Sequence, residues 1–327
     1  MLDLARPAYL LNALGHLMLP VPVATRRLSR LLPCDLADVP PALQERVHWC
    51  NRLAPGGHGL PGTELGALSF RDGKEFDYFD LLRVAKGFGK DMRLDRLFGD
   101  VDYVPDRPSL VKSRPIRGDN ANSVLLPLDW LRHFRFPDDP WPFSEKRPVA
   151  VWRGRQGDPR RQPARFAAIR QLHDHPRHDV GQVNARDDLP PPKPWMTIPE
   201  QLQYRYILAP EGNDVATSLK WIMNSNSLAL SPPLEFETWF MEGRLVPGEH
   251  FIGLRPDYAD LDEKIDWAES HPEEVARINR NARAWCAQFK DRRTEDLVAA
   301  LVLQKYIEAT GGLAHSRIDR RLFFPAS

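Results

Sequence analysis

Arg153, Arg155, Arg160 and Arg161 crowd into "VWRGRQGDPRR", a glycine-containing loop that leaves an apolar run. Arginine forks match phosphate oxygens bidentately, so such a loop suits an anionic ligand. A second stretch, "LAPEGNDVATSLKW" from Leu208 to Trp221, follows an apolar run with the turn residues around Gly212 and then opens a helix. Strand, glycine turn and capped helix aim free backbone N–H groups and the positive end of a helix dipole at an anion. Asp214 can serve as the cap, and Thr217, Ser218 and Lys220 fall within the first two turns, a set that suits a diphosphate. In "PPLEFETWFMEGRLVPGEHF", Glu235 and Glu237 follow a further strand, where a carboxylate can accept from the two hydroxyls of a ribose.

Acidic chemistry concentrates in "GDVDYVPDRP". Asp100 and Asp102 have the D-x-D spacing that can hold a divalent ion against a diphosphate. If arginines and a helix start already neutralise that diphosphate, a metal is redundant, and no metal or other cofactor is expected. The other chemistry for these carboxylates is to take a proton. Lys112 and Arg114 in "VKSRP" can line the same cleft or brace the edge of the core. Cys34, His48 and Cys50 lack metal-ligand spacing and read as buried thiols and a neighbour. "HDHPRH", with His173, His175 and His178, reads as a solvated loop.

These groups need elements to carry them. "PVAVWRG", "RYILAPEG", "LALS" and "HFIGL" read as buried strands, and "DVATSLKWIMNSNS" has helical spacing at 215, 219, 222 and 223. Residues 261–310 read as helical. Alternation of strands and helices implies a doubly wound parallel sheet, with ligands beyond the carboxyl ends of its strands. The arginine loop and the hydroxyl-rich helix start would then face one crevice. "FPDDPWPFSEKRP", 136–148, reads as a connection, dividing the chain into a first domain over 1–145 and a second over 146–327. "DDLPPPKP" reads as a stiff loop.

The bulk numbers narrow the class. With 327 residues the chain suits two domains. Its 45 basic and 44 acidic residues lack the excess of a duplex-binding protein, so no nucleic-acid partner is expected. Three cysteines without paired spacing suit a reducing compartment. The first thirty-odd residues are apolar in a short run broken by Pro20 and Pro22, which fits neither a secretory signal nor a membrane span. They read as an amphipathic segment followed by Arg26, Arg27 and Arg30, either packed on the first domain or gripping an anionic membrane face.

"VKSRPIRGDNANSVLLPLDWLRHF", "VWRG", "EGNDVATSLKWIMNSNSLAL", "FETWFMEGRLVPGEHF" and "DLVAALVLQKY" resemble the bacterial glycosyltransferase family 90 proteins, lipopolysaccharide-core enzymes related to animal protein O-glucosyltransferases. The resemblance spans about residues 45–310. It implies an α/β, GT-B-like fold of two Rossmann-like domains facing a cleft, with C-terminal helices. It also implies inverting, metal-independent transfer from a UDP-sugar to a glycan or lipid-linked glycan, in the cytoplasm or at the cytoplasmic face of the inner membrane. Carried over position by position, donor contacts fall on Arg153, Gly154, Arg155 and Arg161, on Gly212, and on Val215, Ala216, Thr217, Ser218, Leu219 and Lys220, with Glu235 from the third stretch. Lys220 stands where the animal relatives have arginine, keeping the charge but losing the fork. The relatives' base precedes a Tyr-Pro pair, which here leaves Asp100 and Asp102 as alternatives. A non-catalytic family member that only binds a sugar nucleotide or glycan is the rival expectation.

Overall fold

The computed structural model describes residues 5–56, 58–72 and 74–324, and divides into two compact units. Unit 1 comprises 1–132, 236–241 and 291–327; unit 2 comprises 133–235 and 242–290. The chain therefore crosses between units several times rather than once near residue 145. The reason lies in the helix Arg292–Ala309, which is buried almost all round from Val298 onward and needs a core on every side. It finds that core in unit 1. The segment 136–148 is not a free connector either: Asp139 accepts from Lys146 Nζ (2.7 Å) and from the Asn226 N–H (2.8 Å), all within unit 2.

Unit 2 is built on one parallel sheet. Its strands are β1 (Arg147–Gly154), β2 (Asp179–Gln182), β3 (Tyr204–Leu208), β4 (Leu228–Ser231) and β5 (Ile252–Gly253). The spatial order is β5-β4-β3-β1-β2, with every pairing parallel. Strands buried on both faces must be apolar nearly throughout. Ala150, Trp152, Val180, Tyr206, Leu208, Leu228 and Leu230 meet this demand, packed under Ile169 and Leu172 of helix Pro163–Leu172 and under Ile265 and Ile278 of the later helices. Strand order 2-1-3-4-5 reverses direction between β1 and β3, which makes the carboxyl ends of those two strands a topological switch point.

Unit 1 departs from a full Rossmann-like domain. Three short parallel strands, Arg96–Leu97, Ser109–Val111 and Ser123–Leu125, form its largest sheet among the described residues. Phe236–Thr238 pairs antiparallel with Ser113–Pro115. Helices Ala5–Met18, Val21–Leu31, Pro41–Cys50, Glu75–Ala85 and Arg292–Ala309 supply most of the remaining mass. The core is tied by buried ions: Arg46 pairs with Glu295 at 2.7 Å, and Trp239 Nε1 donates to Glu295 Oε2 at 2.5 Å.

Two expectations about thiols and histidines change. Cys34 is exposed, whereas Cys50 and Cys286 are buried free thiols. His178 is buried, and with half-buried His175 and Asp262 it brings three possible ligand atoms within 4.8 Å of one another. The His178 Nδ1 accepts from the Ala150 N–H (3.3 Å) while Nε2 lies 2.9 Å from Asp262. A neutral ring in that setting carries its proton on Nε2, the atom a metal would need, so the cluster is a hydrogen-bonded His–Asp pair.

Candidate active site

The arginine loop leaves β1 and the 209–216 loop leaves β3, so both lie at the switch point of unit 2. Gln162 joins them. Its Oε1 accepts from the Gly157 N–H (2.8 Å) and its Nε2 donates to Asn213 Oδ1 (2.7 Å). Arg165, one turn into the following helix, adds a second tie: Nη1 donates to the Arg155 carbonyl (2.9 Å), and its guanidinium lies over Gly212. A Cβ on Gly212 would sit 2.6 Å from Arg165 Nη2, and one on Gly154 only 2.3 Å from the Trp152 ring. Close approach of the Trp152 ring therefore requires glycine at 154, whereas a side chain at 212 would have to displace the end of Arg165.

The predicted donor residues divide by location. Arg155 and Arg160 are exposed and Arg161 half-buried, forming a cationic rim. Arg153 is turned away: it binds both Asp179 carboxylate oxygens (2.7 and 2.8 Å), the Asp179 carbonyl (2.8 Å) and the Pro194 carbonyl (3.0 Å). It braces β1 against β2 instead of offering its fork to a ligand. Helix Thr217–Asn224 starts with Ala216, not Asp214, at its N-cap, and an alanine has no side-chain oxygen to offer the first turn. Thr217 and Ser218 are half-buried at that end, while Val215, Ala216 and Leu219 are buried and present backbone only. Lys220 is fully buried and its Nζ lies 2.6 Å from Glu242 Oε1. Glu235 is exposed, and its N–H donates to the buried Glu211 carboxylate (3.1 and 3.2 Å).

Sequence reasoning missed four residues here. Gln156 is buried with neither amide atom hydrogen-bonded among the described residues, although its backbone N–H donates to Asn184 Oδ1 (2.7 Å). Tyr258 is buried at φ 58°, with a hydroxyl lacking a partner among the described residues. A bulky side chain in the left-handed region is strained, and such strain collects at functional sites. Burial, then the charge of Glu211, pushes the Tyr258 hydroxyl upward, so it stands as a neutral donor. Gln162 and Arg165 are the other two. The one visible signal is that both follow Arg161 within a single helical turn.

In unit 1 the "VKSRP" motif holds the acidic segment. Lys112, itself buried, donates to Asp100, and Arg132 lies 3.7 Å from the same oxygen. The Ser113 hydroxyl accepts from the Val101 N–H (3.1 Å) and donates to the Val101 carbonyl (3.0 Å), pinning the residue between the two aspartates. For Arg114 the core alternative holds: it is fully buried against Glu237, donating through Nε at 2.8 Å and reaching the Trp49 and Ser123 carbonyls. Glu237, receiving Trp49 Nε1 as well (2.8 Å), is likewise a core ion and not a ribose ligand. Asp77 accepts from the Gly99 N–H (2.7 Å), and burial pushes its carboxyl up to about 6. Asp100 and Asp102 are both partly exposed, beside Tyr103, which is 55% exposed.

Unit 2 thus carries a cationic rim at its switch point, and unit 1 carries an acidic segment in which Asp100 is held by Lys112. The family model for glycosyl transferase family 90 matches residues 130–308, and the chain belongs to that family of glycosyltransferases. It is 44% identical over 272 residues to the O-glucosyltransferase LpsA of Dichelobacter nodosus, covering 83% of this chain and 84% of that one. Protein O-glucosyltransferase 2 of Danio rerio is 32% identical over 77 residues, 23% of this chain and 15% of its own. Among solved structures, the C-terminal domain of a glycosyl transferase group 1 family protein (LpcC) from Francisella tularensis is 11% identical. It covers 43% of this chain and 84% of that one, at a TM-score of 0.27.

Proposed function

We propose that the chain transfers a hexose or pentose from a UDP-sugar to a glycan or lipid-linked glycan, with inversion and without a metal. The acceptor in this reading is lipopolysaccharide core or another surface polysaccharide, met at the cytoplasmic face of the inner membrane. The bacterial relative is named a glucosyltransferase, which makes glucose the first sugar to test.

The supporting observation is the pair of orphaned polar groups at the switch-point end of unit 2. Buried polar atoms without partners cost roughly 1–3 kcal/mol each, and native proteins keep few of them. The amide of Gln156 and the hydroxyl of Tyr258 fit a ligand that supplies the missing partners. A nucleoside diphosphate offers base-edge donors and acceptors, ribose hydroxyls and phosphate oxygens in one molecule. The rim arginines and the first-turn N–H groups of helix Thr217–Asn224 take the diphosphate, stabilising the charge that grows on the departing UDP. Preorganised cations of this kind perform the task otherwise given to a divalent ion. Asp100 or Asp102 removes the proton of the acceptor hydroxyl as it attacks the anomeric carbon.

The test is incubation with UDP-glucose, without acceptor and with core oligosaccharide, each with and without EDTA. Slow UDP release without acceptor, faster release with it, and no loss on chelation are expected. A product that retains the donor's anomeric configuration would refute inversion.

A further inference from the structure

The two amino-terminal helices of unit 1 leave an unusual surface. Helix Ala5–Met18 buries Ala13 and turns Tyr9 inward, where the hydroxyl donates to Asp80 (2.9 Å). Its outer face carries Leu11 (72% exposed), Leu14 (48%) and Met18 (81%), spaced i, i+3, i+7 along one side. Helix Val21–Leu31 buries Ala24 and Leu28 and exposes Val23, Arg26, Arg27 and Arg30 with the same spacing. The two helices meet at 104°, and no helix among the described residues is long and apolar enough to cross a membrane. From Ala5 to Cys34 the sequence has four arginines and no acidic residue, in a chain whose charges otherwise balance.

Beneath the bend lies a cavity of about 190 Å³, lined by residues of both helices and reaching from exposed Arg27 to Arg83, Lys86 and Asp296. Lys86 Nζ donates to the His16 and Leu17 carbonyls (3.0 and 2.7 Å), closing the first helix there. Arg83 is paired through Nη1 with Asp296, which Arg292 also approaches at 3.7 Å. The Arg83 side chain is 8% exposed, and its Nε and Nη2 are buried with no hydrogen-bond partner among the described residues. Asp296 thus pairs with Arg83 and lies 3.7 Å from Arg292, Arg27 and Lys86 line the same cavity, and two Arg83 nitrogens have no hydrogen-bond partner among the described residues. Such a volume is below the roughly 300–1,000 Å³ of drug-sized sites and suits a headgroup-sized anion.

We propose that this helix pair is a docking site for an anionic phospholipid bilayer, with a lipid phosphate seated in the cavity between Arg27 and Arg83. The apolar row enters the acyl boundary while Arg26, Arg27 and Arg30 meet the headgroups, the division of labour of an interfacial helix. The inference deepens the membrane contact proposed above but stands apart from sugar transfer.

The test is flotation of the full chain with vesicles of phosphatidylcholine alone and of phosphatidylcholine mixed with phosphatidylglycerol. Binding only to the anionic vesicles, weakened by salt, is expected. Arg26→Gln with Arg27→Gln should lower partitioning about thirtyfold, from roughly one decade and a half for two headgroup charges. Leu11→Asp with Met18→Asp should abolish flotation. All variants should keep the wild-type affinity for UDP, so failure here is separable from failure of the transfer reading. Equal binding to neutral vesicles, or no flotation with stabilisation by inorganic phosphate alone, would overturn the proposal.

Discussion

Gln162 Nε2 lies 2.7 Å from Asn213 Oδ1, joining the loop that follows β1 to the loop that follows β3. This single bond spans the switch point, and Gln162 also holds the Gly157 N–H. Gln162→Ala releases both contacts, whereas Asn213→Ala releases one. We expect UDP affinity to fall about tenfold in Gln162→Ala, and the double variant to be little worse than that single one. Such non-additivity, read by calorimetry, is the mark of residues acting as one unit. Full additivity would separate the loops.

Lys220 and Glu242 form an ion pair with side-chain exposures of 0% and 1%. Removing one partner of a buried pair strands the other charge, at a cost of roughly 3–5 kcal/mol. Lys220→Ala should therefore lower the melting temperature by several degrees as well as any UDP affinity. Lys220→Met with Glu242→Leu should recover much of the stability. UDP affinity measured in that double variant isolates the contribution of the lysine charge to the diphosphate.

Asp100→Asn should break the Lys112–Asp100 ion pair, while Asp102→Asn leaves it in place. The base variant is expected to lose transfer by at least about a hundredfold while keeping UDP affinity. If Asp100→Asn is inactive but also less stable, Asp102→Asn decides the assignment. Full turnover in both would place the base elsewhere.

Asp80 accepts from the Tyr9 hydroxyl and the Trp130 N–H (2.9 and 2.8 Å), and burial pushes its carboxyl up to about 6. A carboxyl with a raised folded-state pKa keeps its proton longer in the native protein. Its contribution is fully present below the unfolded value near 4 and is lost as pH rises to about 6, on the order of 3 kcal/mol. Histidines such as His16, lowered by burial, act in the opposite sense. The difference between Asp80→Asn and wild type cancels them. That difference should favour the variant at pH 7.5 and shrink or reverse at pH 5, as read from melting temperatures.

Particular residues show how far the sequence carries. The strands of unit 2 were legible because β1, β3 and β4 are apolar runs ending in glycine, proline or serine, and their loops followed from the alternation with helices. Lys220 was legible as a charge near a helix start but not as a buried one, because its partner Glu242 lies beyond two intervening strands. Arg153 and Arg114 illustrate the same limit. An arginine in a motif looks alike whether its fork meets a ligand or, as here, Asp179 and Glu237. Gln156 and Tyr258 carried no pattern at all, since only burial without a partner distinguishes them. The place of helix Arg292–Ala309 in unit 1 depended on long-range packing that periodicity does not encode.

The switch point of unit 2 is proposed to hold a uridine diphosphate. Calorimetric titration of wild type, Gln156→Ala and Tyr258→Phe with UDP, GDP and CMP, each with and without EDTA, tests it most directly. Selective UDP binding unaffected by chelation, and weakened about tenfold or more in both variants, is the predicted result. No nucleotide binding, or UDP binding that both variants retain in full, would contradict it.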